Sequence, residues 1–188
     1  MAYIDEEILT KREEAKKEKY TTIEDGIYLD GRILTFTRKT LSGALSICLP
    51  DVMEQMPEDY ARIKYPSEFR PGIIMTTGDL SVNMGFTVFP AETLDGDRKT
   101  VMEHIRAALH RSNPDCRMYP CEDLKETEGS YFTFRSHAMD SDLYNMLLLA
   151  SVGDKLLQSN FNCYYKDHMK WKKIVQMIWE TIWEAEEE

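Results

Sequence analysis

The sequence predicts an α+β domain in which an antiparallel β-sheet of about six to eight strands is covered by helices on both faces, a three-layer α/β/α sandwich. Apolar segments with a two-residue period, separated by turn residues, recur along the chain. Residues 146–150 are continuously apolar, as expected of a strand buried on both faces. Segments 97–111 and 167–184 have the period of amphipathic helices, which would supply the outer layers.

The composition is that of a globular chain and argues against several classes of partner. Of the 188 residues, 43% are hydrophobic and 30% are charged, and the net charge is -10. An acidic balance disfavours binding to nucleic acid and to anionic membrane surfaces. No apolar run approaches the ~20 residues of a membrane-spanning helix, so we expect no membrane insertion. The first 20 residues lack the apolar segment of a signal peptide, and we expect a cytoplasmic protein.

The N-terminal segment predicts a peripheral helix. Acidic residues lead residues 4–19 and basic residues follow, which suits the helix dipole. The apolar stripe is thin, with Ile4, Ile8, Leu9 and Ala15 as its members. We therefore expect residues 1–20 to form a peripheral helix and residues 21–188 to form a single domain.

Turn signals then predict two hairpins. Asp30-Gly31 separates apolar strands at 27–29 and 32–36, and a third strand is expected at 44–49. Residues 51–65 are mixed and predict short helical turns. Gly78-Asp79 predicts a two-residue turn between strands at 73–77 and 80–89.

The second half of the chain predicts a helix, a three-stranded meander and a final helix. The helix begins after Asp97 and ends near Arg111. The meander strands are expected at 130–137, 143–151 and 155–164. The last helix is expected to run from Asp167 to about Glu184. Its apolar stripe holds Trp171, Ile174, Val175, Ile178 and Ile182, with Trp179 at the edge and Trp183 further round.

Several of these segments together resemble the PsbP-like α/β/α sandwich superfamily. They are Leu49-Pro50, the long strand 80–89, the helix 99–111, Phe161-Asn162-Cys163 and the last helix with Trp171. The superfamily includes an extrinsic photosystem II subunit, a nuclear-import factor that binds a small GTPase, and bacterial adaptors of secretion effectors. The resemblance covers residues 26–185 and implies a binding protein without catalytic residues of its own. The N-terminal helix and residues 65–71 lie outside the pattern.

No motif predicts a catalytic residue, a metal or a cofactor. Cys116 and Cys121 form a C-x4-C pair without two further ligands at a matching spacing, and the thiols are expected to be reduced. Cys48 and Cys163 lie in apolar strand-like segments and are expected to be small core residues. His104 and His110 are six residues apart and do not share a helix face. Ser136, His137 and Asp140 are adjacent in sequence, whereas a catalytic triad is assembled from separated segments. Glycine-rich phosphate loops are absent from the sequence.

The segment from Tyr65 to Pro71 is the strongest candidate for a binding surface. Tyr65, Phe69 and Arg70 are residue types that interfaces favour, and two prolines restrict their backbone. The alternative is a loop that packs on the edge of its own sheet. Trp183 is the second candidate, as an exposed anchor, and the alternative is that the N-terminal helix or a second subunit covers it.

Three hypotheses for function follow. The first is a non-catalytic interaction module, an adaptor, chaperone or assembly subunit, whose partner is a protein bound at a sheet edge or at the 65–71 loop. The second is an enzyme or small-molecule-binding protein with a site assembled from scattered residues, such as His137 and Asp140. The third is a homo-oligomeric structural protein, for which a homodimer is the simplest form.

Overall fold

The computed structural model describes residues 2–41, 45–138 and 140–184. Its helices are α1 (Ala2–Lys19), α2 (Glu58–Lys64), α3 (Arg98–Ser112) and α4 (His168–Trp179), with short 3₁₀ turns at Ala91–Thr93 and Tyr165–Asp167. The strands are β1 (Thr21–Thr22), β2 (Gly26–Leu29), β3 (Arg32–Leu34), β4 (Phe36–Leu41), β5 (Leu45–Pro50), β6 (Met53–Gln55), β7 (Ile73–Thr77), β8 (Asn83–Pro90), β9 (Arg117–Met118), β10 (Glu122–Asp123), β11 (Gly129–His137), β12 (Asp142–Val152), β13 (Lys155–Tyr164) and β14 (Trp183–Glu184).

An eight-stranded antiparallel sheet forms the centre of the molecule. Its order is β10-β11-β12-β13-β8-β7-β6, and β9 also pairs with β11. The long strands β11, β12 and β13 are the predicted meander, and β12 pairs with β13 from Leu143↔Tyr164 to Val152↔Lys155. The predicted α+β fold, with an antiparallel sheet of six to eight strands, is confirmed.

Strand β12 is buried on both faces because successive side chains point to opposite sides of the sheet. Met146 and Leu148 belong to the core that contains α4, and Leu148 is fully buried. Leu147 and Leu149 belong to a second core with Met102 of α3. We call the two sides of the large sheet the α4 face and the α3 face. The sheet and the elements packed on its two faces form the three predicted layers.

Two small sheets complete the fold, with orders β1-β2-β3 and β14-β5-β4. Asp30 and Gly31 both have positive φ, 48° and 84°, at the turn between β2 and β3, as the Asp-Gly signal predicts. The buried side chains of β5 join the core on the α4 face. This face is therefore covered by a small sheet as well as by a helix.

Helix α1 lies on the outside, and residues 6–19 are exposed. Ile8 and Leu9 of the thin apolar stripe are 43% and 59% exposed. In the described residues, no helix has both the length and the apolar character needed to cross a membrane.

The C-terminal helix is shorter than the sequence predicts. It ends at Trp179 rather than near Glu184, and Trp183 lies in β14, opposite Ser46 of β5. The stripe residues from Trp171 to Ile182 are buried as predicted, but Trp179, placed at the stripe edge, is completely buried and its Nε1 donates to Ser159 Oγ at 3.0 Å. Glu180 is the C-cap of the helix, and its carboxylate accepts backbone N–H bonds from residues 125–127.

Three local predictions also need correction. The turn between β7 and β8 spans residues 78–82, with positive φ at Leu80, because the Asp79 carboxylate accepts bonds from Thr77 Oγ1 and Ser81 N. Residues 51–65 contain a strand, β6, in addition to a helix. Cys48, predicted to be a core residue, is only half-buried, whereas Cys163 is buried. Ala44, Met139 and the tail from residue 185 lie outside the described residues.

Candidate functional site

A chain of polar side chains fixes the start of the 65–71 loop on the α3 face of the large sheet. Asn162 Nδ2 donates to Tyr65 Oη at 2.9 Å, and Asn83 Nδ2 donates to Asn162 Oδ1 at 3.0 Å. Thr76 Oγ1 donates to Asn83 Oδ1 at 2.8 Å. Burial raises the pKa of Tyr65, and the bond from Asn162 opposes this in part. Tyr65, one of the predicted contact residues, therefore has its hydroxyl engaged within the protein.

A glycine holds the end of the same loop against β8. A Cβ on Gly85 would lie 2.6 Å from Cγ of Pro71, a distance that real Cβ atoms do not show. Glycine thus permits the proline ring to rest directly on the strand backbone. The 65–71 segment is therefore fixed at both ends. At these two ends it packs on its own sheet, which is the arrangement that the sequence analysis gave as the alternative to a binding surface.

Between these two ends, Phe69 is held in solvent and is 95% exposed. Helix α2 presents Ile63, which is 81% exposed, and Tyr60, which is 55% exposed. Ala61 is the residue through which α2 packs on the sheet, and Tyr60 and Ile63 lie on the outer side of this short helix. We call Tyr60, Ile63 and Phe69 the α2–loop surface.

A cleft of about 540 Å³ adjoins this surface at the edge of the large sheet. Its floor is apolar, since Met56, Ala61 and Ile74 form a small core of their own. Its wall comes from the loop, through Glu68, Arg70, Pro71 and Gly72, and its remaining lining comes from Gln55 and Glu58.

Charges around the cleft are unevenly paired. Glu58 accepts from Arg62 Nη2 at 2.6 Å, and this bond lowers the pKa of the Glu58 carboxyl. Arg70 Nη2 is 3.9 Å from the same carboxylate, and its side chain is 30% exposed. Glu54 and Glu68 are exposed and form no ion pair within the described part of the chain.

The structure does not bring Trp183 together with the other predicted contact residues. Trp183 is 66% exposed and extends from β14 beside β5, which packs on the α4 face. Phe69 and Arg70 lie on the side of the α3 face. Trp183 is therefore a separate candidate contact.

The alternative site around His137 is assembled from other residues than the sequence analysis proposed. His137 Nδ1 lies 2.5 Å from Asp142 Oδ1, not beside Asp140, and Arg135 Nε donates to Asp142 Oδ2 at 2.7 Å. The bonds from Arg135 and His137 lower the pKa of Asp142. Ser136 precedes His137 on β11 and points to the opposite face, where its Oγ accepts from Asn145 Nδ2. Ser136 and His137 are thus not assembled into a nucleophile and base.

A second cleft, of about 510 Å³, lies near Asp142 and is lined by residues 140–142 and 164–166. Arg135 is stacked over the Tyr165 ring at 4.3 Å and is held by Asp142. Arg135 and Asp142 beside this cleft are therefore already paired with each other.

None of the four cysteines lines either cleft. Burial and the neighbouring Glu103 raise the pKa of Cys121 to about 11, which disfavours the thiolate. Among residues 2–41, 45–138 and 140–184, no cluster of three or more His, Cys, Asp or Glu side chains is placed to hold a metal.

The sequence did not indicate the contributions of α2 and β6. Tyr60 and Ile63 were missed because residues 58–64 are mixed in character. Pro57 followed by acidic residues was the available signal, because proline and acidic residues are typical of a helix start.

Comparison with known proteins gives the fold but no sequence relationship. No protein-family model matches the chain, and no curated protein matches it in sequence. Cyanobacterial PsbP (CyanoP) from Synechocystis sp. PCC 6803 is similar in structure, with a TM-score of 0.58 and 10% identity over 85% of this chain and 98% of that one.

Two further solved structures have the same fold. The Ran-binding protein Mog1p from Saccharomyces cerevisiae has a TM-score of 0.53 and 9% identity, over 79% of this chain and 95% of that one. LpqN, involved in cell envelope biogenesis of Mycobacterium tuberculosis, has a TM-score of 0.53 and 13% identity, over 89% of this chain and 99% of that one. The layers and these likenesses agree with the fold that the resemblance in the sequence implies: the chain has an α/β/α sandwich fold similar to that of CyanoP, Mog1p and LpqN.

Proposed function

We propose that this chain is a non-catalytic protein-interaction module, an adaptor, chaperone or assembly subunit, and that its partner binds at the α2–loop surface. One observation carries the proposal. Phe69 is 95% exposed although the loop that bears it is fixed on the sheet by Tyr65 and Pro71. A cytoplasmic location is part of the proposal.

The physical argument concerns preorganisation. Binding is weakened by the entropy lost when a loop or a side chain is ordered at an interface. Here the loop ends are already fixed by a buried hydrogen-bond chain and by the contact of Pro71 with Gly85. A partner that covers Phe69, Ile63 and Tyr60 therefore gains apolar burial at a small ordering cost.

The fold neighbours support the class of function without identifying a partner. Mog1p is described as Ran-binding, while CyanoP and LpqN are described by other roles. A shared fold at this level of identity does not transfer a binding partner. The contact residues of this chain are therefore proposed from its own surface.

Affinity capture from the native cell, quantified by mass spectrometry, tests the proposal. The baits are the wild type, a Phe69→Ala/Ile63→Ala variant, Trp183→Ala, and Met169→Ala as the matched control, since Met169 is 76% exposed on α4. We expect recovery of the partner to fall about tenfold or more with the Phe69/Ile63 variant, as for residues at the centre of an interface. Recovery with the Met169 variant stays at the wild-type level.

Melting temperatures separate a lost contact from a lost fold. All three variants replace exposed side chains, so each melting temperature stays near that of the wild type. The proposed site is wrong if the Phe69/Ile63 variant recovers the same proteins as the wild type. If recovery depends on Trp183 instead, the contact lies beside β14. If the lost protein is a second copy of this chain, the module is a homodimer.

A further inference from the structure

Strand β6 is an edge of the large sheet, and its outer side is partly open. Among the strands that the structure describes it pairs with β7 alone, in the register Met53↔Thr77, Glu54↔Thr76 and Gln55↔Met75. Met56 N donates to Ile74 O at 2.7 Å and continues this ladder. In an antiparallel pair, alternate residues direct their N–H and C=O groups toward and away from the partner strand. Met53 and Gln55 therefore direct theirs outward.

The two outward residues differ in what meets them. Lys39 Nζ donates to the Met53 carbonyl oxygen at 2.7 Å, which confirms the outward direction and covers that end of the edge. Gln55 is exposed and lines the cleft. Neither its N–H nor its C=O has a hydrogen-bond partner among the residues that the structure describes, so the two form an open donor–acceptor pair of the kind that an added strand uses.

The side chains beside Gln55 define what an added strand would meet. Met56 lies on the α3 face, in the floor of the cleft, and Glu54 lies two residues earlier on the same face. A strand alongside β6 would place one side chain opposite Met56 and another, two residues away, opposite Glu54. The first would enter the apolar cleft and the second would meet a carboxylate.

The charge of the rim favours a basic partner. Glu54, Asp59 and Glu68 are exposed and have no ion pair among the residues that the structure describes. Arg62 and Arg70 share the single carboxylate of Glu58, and Lys39 and Lys64 donate to the carbonyl oxygens of Met53 and Leu80. Among the charged side chains that line the cleft, Glu58 and Glu68 outnumber Arg70, and Glu54 lies on the same face of β6 as Met56, so carboxylates exceed basic groups at the cleft itself.

We propose that an extended segment of a partner protein adds to β6 as an edge strand, with an apolar side chain in the cleft and a Lys or Arg two residues from it beside Glu54 and Glu68. This inference rests on the proposed function and names the partner's chemistry. Main-chain bonds to Gln55 supply affinity, and the alternating side chains supply specificity.

The test uses a phage-displayed library of random linear peptides of about twelve residues, long enough for a strand of typical length. The library is panned on the immobilised full-length protein, and selected peptides are synthesised for anisotropy measurements. We expect peptides in which an apolar residue and a Lys or Arg are two positions apart.

Two changes test the backbone bonds. Gln55→Pro removes the outward N–H, and proline is tolerated where an edge N–H faces solvent. We expect Gln55→Pro to bind about tenfold or more weakly than Gln55→Ala, because a bound partner carbonyl loses its donor only in the proline variant. The same peptides synthesised with N-methyl groups at alternate residues lose binding in one of the two frames, a result that does not depend on the folding of any variant.

The rim charges are tested by Glu54→Gln and Glu68→Gln. Each is expected to weaken a lysine-containing peptide about two- to fivefold, the range of exposed ion pairs, and to leave its lysine-to-glutamine version unchanged.

The strand-addition proposal is overturned if panning yields no binder, if Gln55→Pro binds as well as Gln55→Ala, or if the selected peptides are acidic. Those results do not bear on the capture experiment with Phe69 and Ile63. If the Phe69/Ile63 variant loses a partner that the Gln55→Pro variant still recovers, the α2–loop surface binds its partner without strand addition. Capture that is insensitive to Phe69 and Ile63 overturns the proposed function itself.

Discussion

Among single residues, Tyr65 has the clearest structural role, because its hydroxyl holds the 65–71 loop on the large sheet. Its hydroxyl accepts the bond from Asn162, which in turn accepts from Asn83. Asn83 is 1% exposed and Thr76 is 4% exposed, so the inner members of this chain have no access to bulk water. A buried donor that loses its acceptor retains its desolvation cost. Tyr65 therefore acts first on stability, and Phe69 is the residue of this loop that we propose as the partner contact.

We predict that Tyr65→Phe lowers the free energy of unfolding by about 1–3 kcal/mol, because Asn162 Nδ2 loses its acceptor. Tyr60→Phe is the matched control, since Tyr60 is 55% exposed and the change should be nearly neutral. Urea denaturation measures both. A Tyr65→Phe variant as stable as Tyr60→Phe would show that the hydroxyl does not hold the loop.

At the scale of elements, the C-terminal segment connects parts of the chain that are distant in sequence. The Glu180 carboxylate accepts from Lys125 N at 2.7 Å, Glu126 N at 3.0 Å and Thr127 N at 2.8 Å. Thr181 Oγ1 then accepts from Cys48 N at 2.9 Å, and β14 pairs with β5. The C-terminal segment, residues 125–127 and β5 are thus joined within a few residues after α4 ends.

This segment also shows why part of the fold was not predictable. The helical period continues past Trp179, so local sequence predicts a helix to residue 184. After the helix the chain is held by distant segments, since Glu180 is bound by residues 125–127 and Trp183 pairs with Ser46 of β5. No local pattern indicates partners so far along the chain. The Asp30-Gly31 turn and the cap of α3, where Asp97 accepts from Thr100 N, were predictable because their determinants are adjacent in sequence.

The candidate site, too, was predictable only where the local sequence determines it. Residue types alone indicated Phe69 and Arg70, because interfaces favour them. The cleft was not foreseen, because it is assembled from β6, α2, the loop and β7, and the sequence does not report that these elements meet.

We predict that Glu180→Ala destabilises the protein by about 2–3 kcal/mol, because three backbone N–H groups lose a charged acceptor. Glu24→Ala is the control, since Glu24 is exposed and makes no hydrogen bond within the described ranges. Thermal melting followed by circular dichroism measures both variants. Equal melting temperatures for the two would mean that water replaces the Glu180 carboxylate at little cost.

For the whole molecule, one large core joins all three sheets. It contains Leu34 of β3, Ile47 of β5, Leu148 of β12 and Val175 of α4. The described side chains of α1 are exposed and contribute nothing to it. This continuity supports the proposal that residues 21–188 form a single domain, with residues 1–20 as a peripheral helix.

The surface carboxylates determine how the whole molecule responds to acid. Hydrogen bonds lower the pKa of Asp51, Asp79, Asp123 and Asp142 from 3.8, and Arg62 and Arg106 lower those of Glu58 and Glu103 from 4.5. A carboxyl with a lowered pKa in the folded state binds fewer protons there than in the unfolded state. Its contribution to stability is therefore present above the unfolded value and is lost as the pH falls through the folded value.

We predict a melting temperature that is nearly constant from neutral pH down to about 5 and falls below about 4.5, where these glutamates and then the aspartates begin to take up protons. Asp51→Asn isolates one group, because Asp51 accepts from Thr35 Oγ1 and Thr37 Oγ1, both at 2.5 Å. The variant should melt below the wild type at neutral pH, and the gap should narrow as the pH falls below 3.8 and through the lowered pKa of Asp51 in the folded state. Asp59→Asn, at an exposed residue with no hydrogen bond in the described part of the chain, should follow the wild type throughout. A gap for Asp51→Asn that persists unchanged into acid would mean that its effect comes from packing or hydrogen-bond geometry and not from the ionised carboxylate.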